Sequence, residues 1–327
     1  MKQLVSLLGA HQVCAFTGII GLPQFWLQAR LAGAKLLSAN HPELVIGITG
    51  RILQEFELDA GKVSKFIATQ PTCLQFARWF KIETGSLNRA QIGAFNAQIM
   101  ALEDSDENSA LDTIRTFGLD NQKDQVARSL VFTNMLRNWN EFHAALIAGQ
   151  IAPGVGGIPL IESSYVCPFT GIKHIMRAYL KGILAATGIL NKDYPAQGPG
   201  FDKMLCKLLG ITSDQFIALL ADVPEYSEFV PRLQPRIAQV SGRAISQFNG
   251  AIEAYQHNVE ISRRILMGFG FKNNGSFPLA AIALNPLEDM TAIHEQLVTL
   301  AAITARDAEV AKSGAKSVKS AGKIVVA

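Results

Sequence analysis

Two histidines stand on helical faces that are otherwise apolar. Leu136, Trp139, His143 and Leu146 fall at i, i+3, i+7 and i+10, and Leu287, Met290, His294 and Leu297 repeat that spacing. Residues so spaced share one side of an α-helix. An imidazole held there can serve as a general base or a metal ligand. It can equally sit neutral in a core, hydrogen-bonded at one or both ring nitrogens. His143 and His294 are therefore both candidate catalytic residues and candidate core histidines.

Two asparagines show the same pattern. Ile92, Phe95, Ile99 and Leu102 form one apolar stripe, and Asn96 points into it. Ile245, Phe248, Asn249 and Ile252 repeat the arrangement. A buried amide must find partners or cost about 1–3 kcal/mol. Asn96 and Asn249 are expected to pin a neighbouring loop, the Phe-Thr-Gly segment being the first choice. With Trp139 they are also the candidate ligand-binding side chains.

Other groups point to structure before chemistry. Asp202 follows Gly198-Pro199-Gly200-Phe201 and reads as a helix cap, with Thr49 as its counterpart. Cys14 and Cys167 read as core, since nothing nearby in sequence would lower a thiol pKa. The run Glu103-Asp104-Ser105-Asp106-Glu107 reads as a solvated helix junction. There is no Walker loop, GxGxxG, GxSxG or HExxH, and no pair of cysteines at CxxC spacing. No metal and no cofactor is expected.

These groups recur because the chain matches itself at a shift of 153 residues. Cys14-Ala15-Phe16-Thr17-Gly18-Ile19 falls on Cys167-Pro168-Phe169-Thr170-Gly171-Ile172, and Pro71 and Phe76 fall on Pro224 and Phe229. Near the end of each copy the shift becomes 151, where Asn134, Leu136 and His143 fall on Asn285, Leu287 and His294. The elements expected to carry the repeat are helices near 22–38, 48–57, 60–69, 72–83, 87–102, 107–117 and 135–147. Their counterparts are near 173–189, 200–209, 212–221, 224–233, 237–256, 258–267 and 287–305. No run alternates long enough to be a strand. The fold class is thus all-α, two tandem copies of a small multi-helix domain related by internal duplication about a pseudo-twofold. Copy 1 spans 1–147, a Gly/Pro linker 148–164, copy 2 165–305 and a mobile Lys-rich tail 306–327. The uncharged, partly apolar linker is expected to lie along the protein surface.

Composition narrows the function classes. Apolar residues make up 49% and charged residues 17%, which suits packed cores and argues against disorder. The net charge of +3 comes from Lys312, Lys316, Lys319 and Lys323, and removing these leaves about −1. That is no basic footprint for nucleic acid. No run approaches the roughly 20 apolar residues of a membrane helix. The opening Leu4–Ala10 resembles a signal peptide only over a short stretch that His11 ends. Four scattered cysteines suit a reducing, cytoplasmic setting.

The segment Gly21-Leu22-Pro23-Gln24-Phe25-Trp26-Leu27-Gln28-Ala29-Arg30-Leu31-Ala32-Gly33 resembles the opening of a small bacterial helical family, domain of unknown function number 5069. In that family a Leu-Pro-Arg leads into a helix carrying Lys-Ala-Arg and Leu-Ala-Gly. Gly210-Ile211-Thr212 and Glu57-Leu58-Asp59 stand at its Gly-Ile-Asp turn. Trp139 with Phe142-His143 resembles its closing element. Gln24 departs from the family's Arg, and Ile175-Met176-Arg177 from its Leu-Pro-Arg. The resemblance implies a compact helical domain and carries no catalytic residue. The expected function is a binding or scaffold protein, its partner a protein or a small ligand in an inter-copy groove. The alternative is an enzyme or cofactor-binding protein using His143 and His294. A third reading is peripheral membrane attachment through the Lys-rich tail.

Overall fold

A computed structural model describes residues 9–38, 47–85, 88–103, 111–112, 114–115, 129–151, 154–271 and 280–321. Side chains beyond position 303, apart from Arg306, lie outside the description. The described residues form thirteen α-helices and no strand. In the first half these are α1 (Leu22–Gly33), α2 (Gly47–Glu55), α3 (Ala60–Ile67), α4 (Cys73–Glu83), α5 (Arg89–Ala101) and α6 (Leu130–Ile147). In the second half they are α7 (Ile175–Ala186), α8 (Phe201–Leu209), α9 (Ser213–Ala218), α10 (Tyr226–Ile237), α11 (Gly242–Ala254), α12 (Val259–Phe269) and α13 (Ala281–Ala321). The helix expected at 107–117 falls largely outside the described residues.

The central helices are α1 and α7, buried on almost every side. Each is entered through a left-handed residue, Gly21 (φ 78°) or His174 (φ 66°). Each is tied by an aromatic donor to a carbonyl ahead of the fourth helix. Trp26 Nε1 donates to Pro71 O at 3.0 Å, and Tyr179 Oη to Pro224 O at 2.6 Å. The residues before those prolines, Gln70 and Val223, have φ of 56° and 52°. Local signals set several starts. Asp59 caps α3 by accepting from Lys62 N, and Thr72 with Gln75 and Thr212 with Gln215 form reciprocal capping boxes on α4 and α9.

The last helix of each half packs on the other half. On α6, Trp139 stacks on Tyr179 (centroids 5.1 Å) and meets Tyr226 edge-on (4.8 Å). Reciprocally, α13 packs against α4, and Leu297 and Ala301 face Ala29 and Ile67. One hydrophobic core runs through both halves. Among the described residues no helix is long and apolar enough to cross a membrane.

One expectation is corrected here. The segment joining the halves does not run along the surface. Val155–Gly157 form a 3-10 turn, and Ile151, Val155, Ile158, Leu160 and Ile161 are buried. Their carbonyls find donors inside the protein: Asn191 N bonds Gly157 O at 3.0 Å, and Arg177 bonds Ile161 O at 2.9 Å. Beyond residue 305 the backbone of α13 continues as helix through Ala321. Ala and Lys there are strong helix formers, so the backbone continues what the packed part begins.

Candidate functional site

The paired asparagines are structural clamps. Asn96 Oδ1 accepts from Ile20 N at 2.9 Å, and its Nδ2 donates to Gly18 O at 2.8 Å. Asn249 does the same with Lys173 N (2.9 Å) and Gly171 O (2.8 Å). Each amide uses its donor and its acceptor on one Phe-Thr-Gly loop. Its glycine needs positive φ (78° at Gly18, 68° at Gly171), so the loop has few ways to relax.

His143 is a tether between halves. Its Nε2 lies 2.9 Å from Val223 O. A carbonyl only accepts, so Nε2 carries the proton and holds a β-branched residue in its left-handed conformation. His294 makes no such bond, and its Nδ1 is buried without a partner. Burial, and then the charge of Arg30, pushes its pKa down. The two histidines are therefore not brought together in one site. Trp139 is committed to its aromatic stack, and its Nε1 is buried without a partner beside a void of about 10 Å³. That is about the room one water occupies.

The largest polar constellation is one that sequence spacing did not single out. On the face of α7, His174, Arg177 and Lys181 fall at i, i+3 and i+7, and all three are buried. Arg177 forks onto Asp289 of α13 (2.6 and 3.0 Å), and Tyr194 Oη donates to the same carboxylate at 2.8 Å. Burial lowers the Arg177 pKa, but Asp289 outweighs it and the net direction is up. Asp202 accepts from Lys181 Nζ, from Gly198 N at 2.6 Å and from His174 Nε2 at 2.8 Å. Burial would raise the Asp202 pKa. The hydrogen bond from His174, with the bond and charge of Lys181, more than reverses that, so the carboxyl sits well below its ordinary range. Asp202 thus does more than cap α8.

On the far side of the ring, His174 Nδ1 lies 2.9 Å from Ser163 Oγ. With Nε2–H given to the carboxylate, Nδ1 is the acceptor and Ser163 the donor. Burial pushes the His174 pKa down and keeps the imidazole neutral. The order hydroxyl–imidazole–carboxylate is that of a nucleophile, its base and an orienting acid. Ser163, His174 and Asp202 are only 3%, 4% and 3% exposed, however, so the hydroxyl is sealed from any substrate. What the network does here is clamp the connecting segment and the loop before α8 onto α7.

The signal for this network lies in the self-match. Gly21, Gln24 and Gln28 stand where the second half has His174, Arg177 and Lys181, and Thr49 stands for Asp202. At these matched positions of the first half the polar pair is neutral, Thr49 Oγ1 donating to Gln28 Oε1 at 3.0 Å.

Among the described residues, open space is found in a groove of about 510 Å³ between the halves. Its walls are α1, α3 and the turn after it, and α13. Small residues predominate (Ala29, Ala32, Gly33, Ala68, Ala301), over Val63, Ile67 and Leu297. Arg30, Ser64 and Gln70 bring the polar groups. Among the described residues no three His, Cys, Asp or Glu side chains gather as a metal site would need.

Fold and site define an all-α protein with a groove between two interlocked halves. Compared with protein-family models, curated proteins and solved structures, the chain matches none.

Proposed function

We propose that the chain is a tandem duplication of one helical unit acting as a non-catalytic binding protein, with a small ligand seated in the groove between the halves. Supporting the duplication, Asn96 and Asn249 make the same two bonds to loops 153 residues apart, and Pro71 and Pro224 accept from matched aromatic donors. The resemblance to family 5069 belongs to this proposal, as does a cytoplasmic setting, which suits four free, buried cysteines. The observation that carries the binding role is the groove itself. It is apolar with a few convergent polar groups, and its volume lies in the range of small-molecule sites. Two of the imidazoles able to do acid–base chemistry are instead spent on internal bonds: His143 on Val223, His174 on Ser163 and Asp202.

A thermal-shift screen of metabolites against the native chain and Ala68→Trp, which adds an indole at the groove wall, tests this. Compounds that raise the Tm of the native chain but not of the variant are expected. A screen in which no compound separates the two proteins refutes the reading.

A further inference from the structure

The groove holds one charge that the fold leaves unanswered. Arg30 lines it and is 6% exposed, and its Nε is buried without a hydrogen-bond partner. Among the described residues it has no carboxylate partner. The other buried cations are matched: Arg177 by Asp289, Lys181 by Asp202 and Lys173 by Glu253. A buried charge is kept without a partner only at a cost, and burial pushes the Arg30 pKa down accordingly.

The second half shows how the same place is built when nothing is to be bound. Position 183, which answers to 30, is Ile183, and Phe216 and Leu220 answer to Val63 and Ile67. These three are at most 1% exposed. Packing there is so close that a Cβ on Gly182 would come within 2.1 Å of Leu220. The framework is thus able to close this space with hydrocarbon. In the first half it is open and carries a guanidinium.

We propose that the groove binds an organic monocarboxylate with an apolar body, its carboxylate seated on the Arg30 guanidinium and its body along Val63, Ile67 and Leu297. This rests on the binding role proposed above. A single negative charge is inferred because Arg30 is the only ionisable side chain among the described residues lining the groove. A phosphate dianion would need a second cation. His294 is not among the groove's lining residues, and burial, then the charge of Arg30, pushes its pKa down, so it supplies no second cation. The planar fork of Arg suits a carboxylate in two-point contact, and the alanine-rich walls leave room for a hydrocarbon chain.

Isothermal titration calorimetry of the full chain at pH 7.5 with sodium octanoate and 1-octanol tests the idea, since the probes share a body and differ in charge. Octanoate should bind at least tenfold tighter than octanol. Arg30→Gln should weaken octanoate at least tenfold and leave octanol unchanged, with Arg30→Lys between. Circular dichroism confirms that the variants fold. No octanoate binding, equal binding of both probes, or octanoate binding indifferent to Arg30→Gln overturns the proposal. Ala68→Trp separates this failure from that of the groove: if it blocks both probes while Arg30→Gln blocks neither, the groove stands and the carboxylate does not. If Ala68→Trp blocks neither, binding lies elsewhere and both readings fall.

Discussion

Removing the Asp202 carboxylate should destabilise the fold by about 4 kcal/mol, the middle of the range for breaking a buried ion pair from one side. The carboxylate is 3% exposed and accepts from three donors: Lys181 Nζ, Gly198 N and His174 Nε2. In Asp202→Ala the 6%-exposed ammonium of Lys181 loses its partner, and two N–H donors are left without acceptors. The first half already holds a neutral solution on the same framework, Gln28 bonded to Thr49 with Gly21 at the left-handed entry. The triple variant His174→Gly, Lys181→Gln, Asp202→Thr transplants it, removing the charge, its counter-charge and the imidazole together. Replacing a buried pair whole is often close to neutral, so the triple should lose no more than about 1–2 kcal/mol, less than the single change. Urea unfolding at pH 7, followed by tryptophan fluorescence and circular dichroism, measures both. Salt should matter little, because the pair is screened by protein and not by ions. A cost for Asp202→Ala below about 1 kcal/mol would refute the reasoning, as would a triple variant as unstable as the single.

Other consequences can be measured on the same protein. Asn96→Ala and Asn249→Ala should each cost about 1–3 kcal/mol, from two orphaned backbone groups; a loss under 0.5 kcal/mol, on the order of a surface change, would show that the loops do not depend on the amides. His11 is held neutral by burial with its pKa lowered to about 4, so an unfolded chain takes up a proton below about pH 6.5 that the folded chain refuses. That contribution is whole above pH 6.5 and lost as pH falls: stability should drop by roughly 2 kcal/mol between pH 7 and 5, and His11→Phe should flatten the urea-measured slope. Glu57 is exposed with φ of 50°, where its counterpart Gly210 has 65°; Glu57→Gly should stabilise by about 0.5–1 kcal/mol in thermal unfolding, and a lowered Tm would contradict the strain. Residues 1–147 expressed alone should form a swapped dimer or fail to unfold cooperatively, because Trp139 and His143 find their partners in the second half; a folded monomer by sedimentation would disprove that dependence.

Much of the fold could be read in the sequence because it rests on local signals. Caps at Asp59 and Thr212 set helix starts, and apolar spacing gave the helices that carry Asn96 and His143. The asparagines were legible for a physical reason: an amide within an apolar stripe must bond something nearby in space, and both did so with the glycine loop. The ionic network was harder to read. Arg177 and Asp289 are 112 residues apart, so no local spacing joins them. The same distant partnership misled the reading of the connecting segment. Its apolar residues imply contact with the protein but not burial, and the donor that lets its carbonyls go inside is Arg177 of α7. The place and lining of the groove were illegible because alanines at 29, 32, 68 and 301 have no pattern until α1, α3 and α13 meet.

The two halves are most informative where they differ. At the entry to the central helix one half has Gly21, Gln24 and Gln28, and the other His174, Arg177 and Lys181. The charged set is closed on itself and satisfied, with every one of its side chains at most 6% exposed. Further along that helix the contrast reverses: the second half is filled by Ile183, Phe216 and Leu220, while the first is open and holds Arg30. Polar groups that serve stability arrive with their partners in the same fold, as Arg177 and Lys181 do. Arg30 arrives without one, beside 510 Å³ of space, and its counterpart position tolerates isoleucine. Stability alone would favour the hydrocarbon at both places. The retained guanidinium is therefore best explained by something that enters the groove, which is why the search for a function belongs at α1 and α13 and not at the more conspicuous histidines.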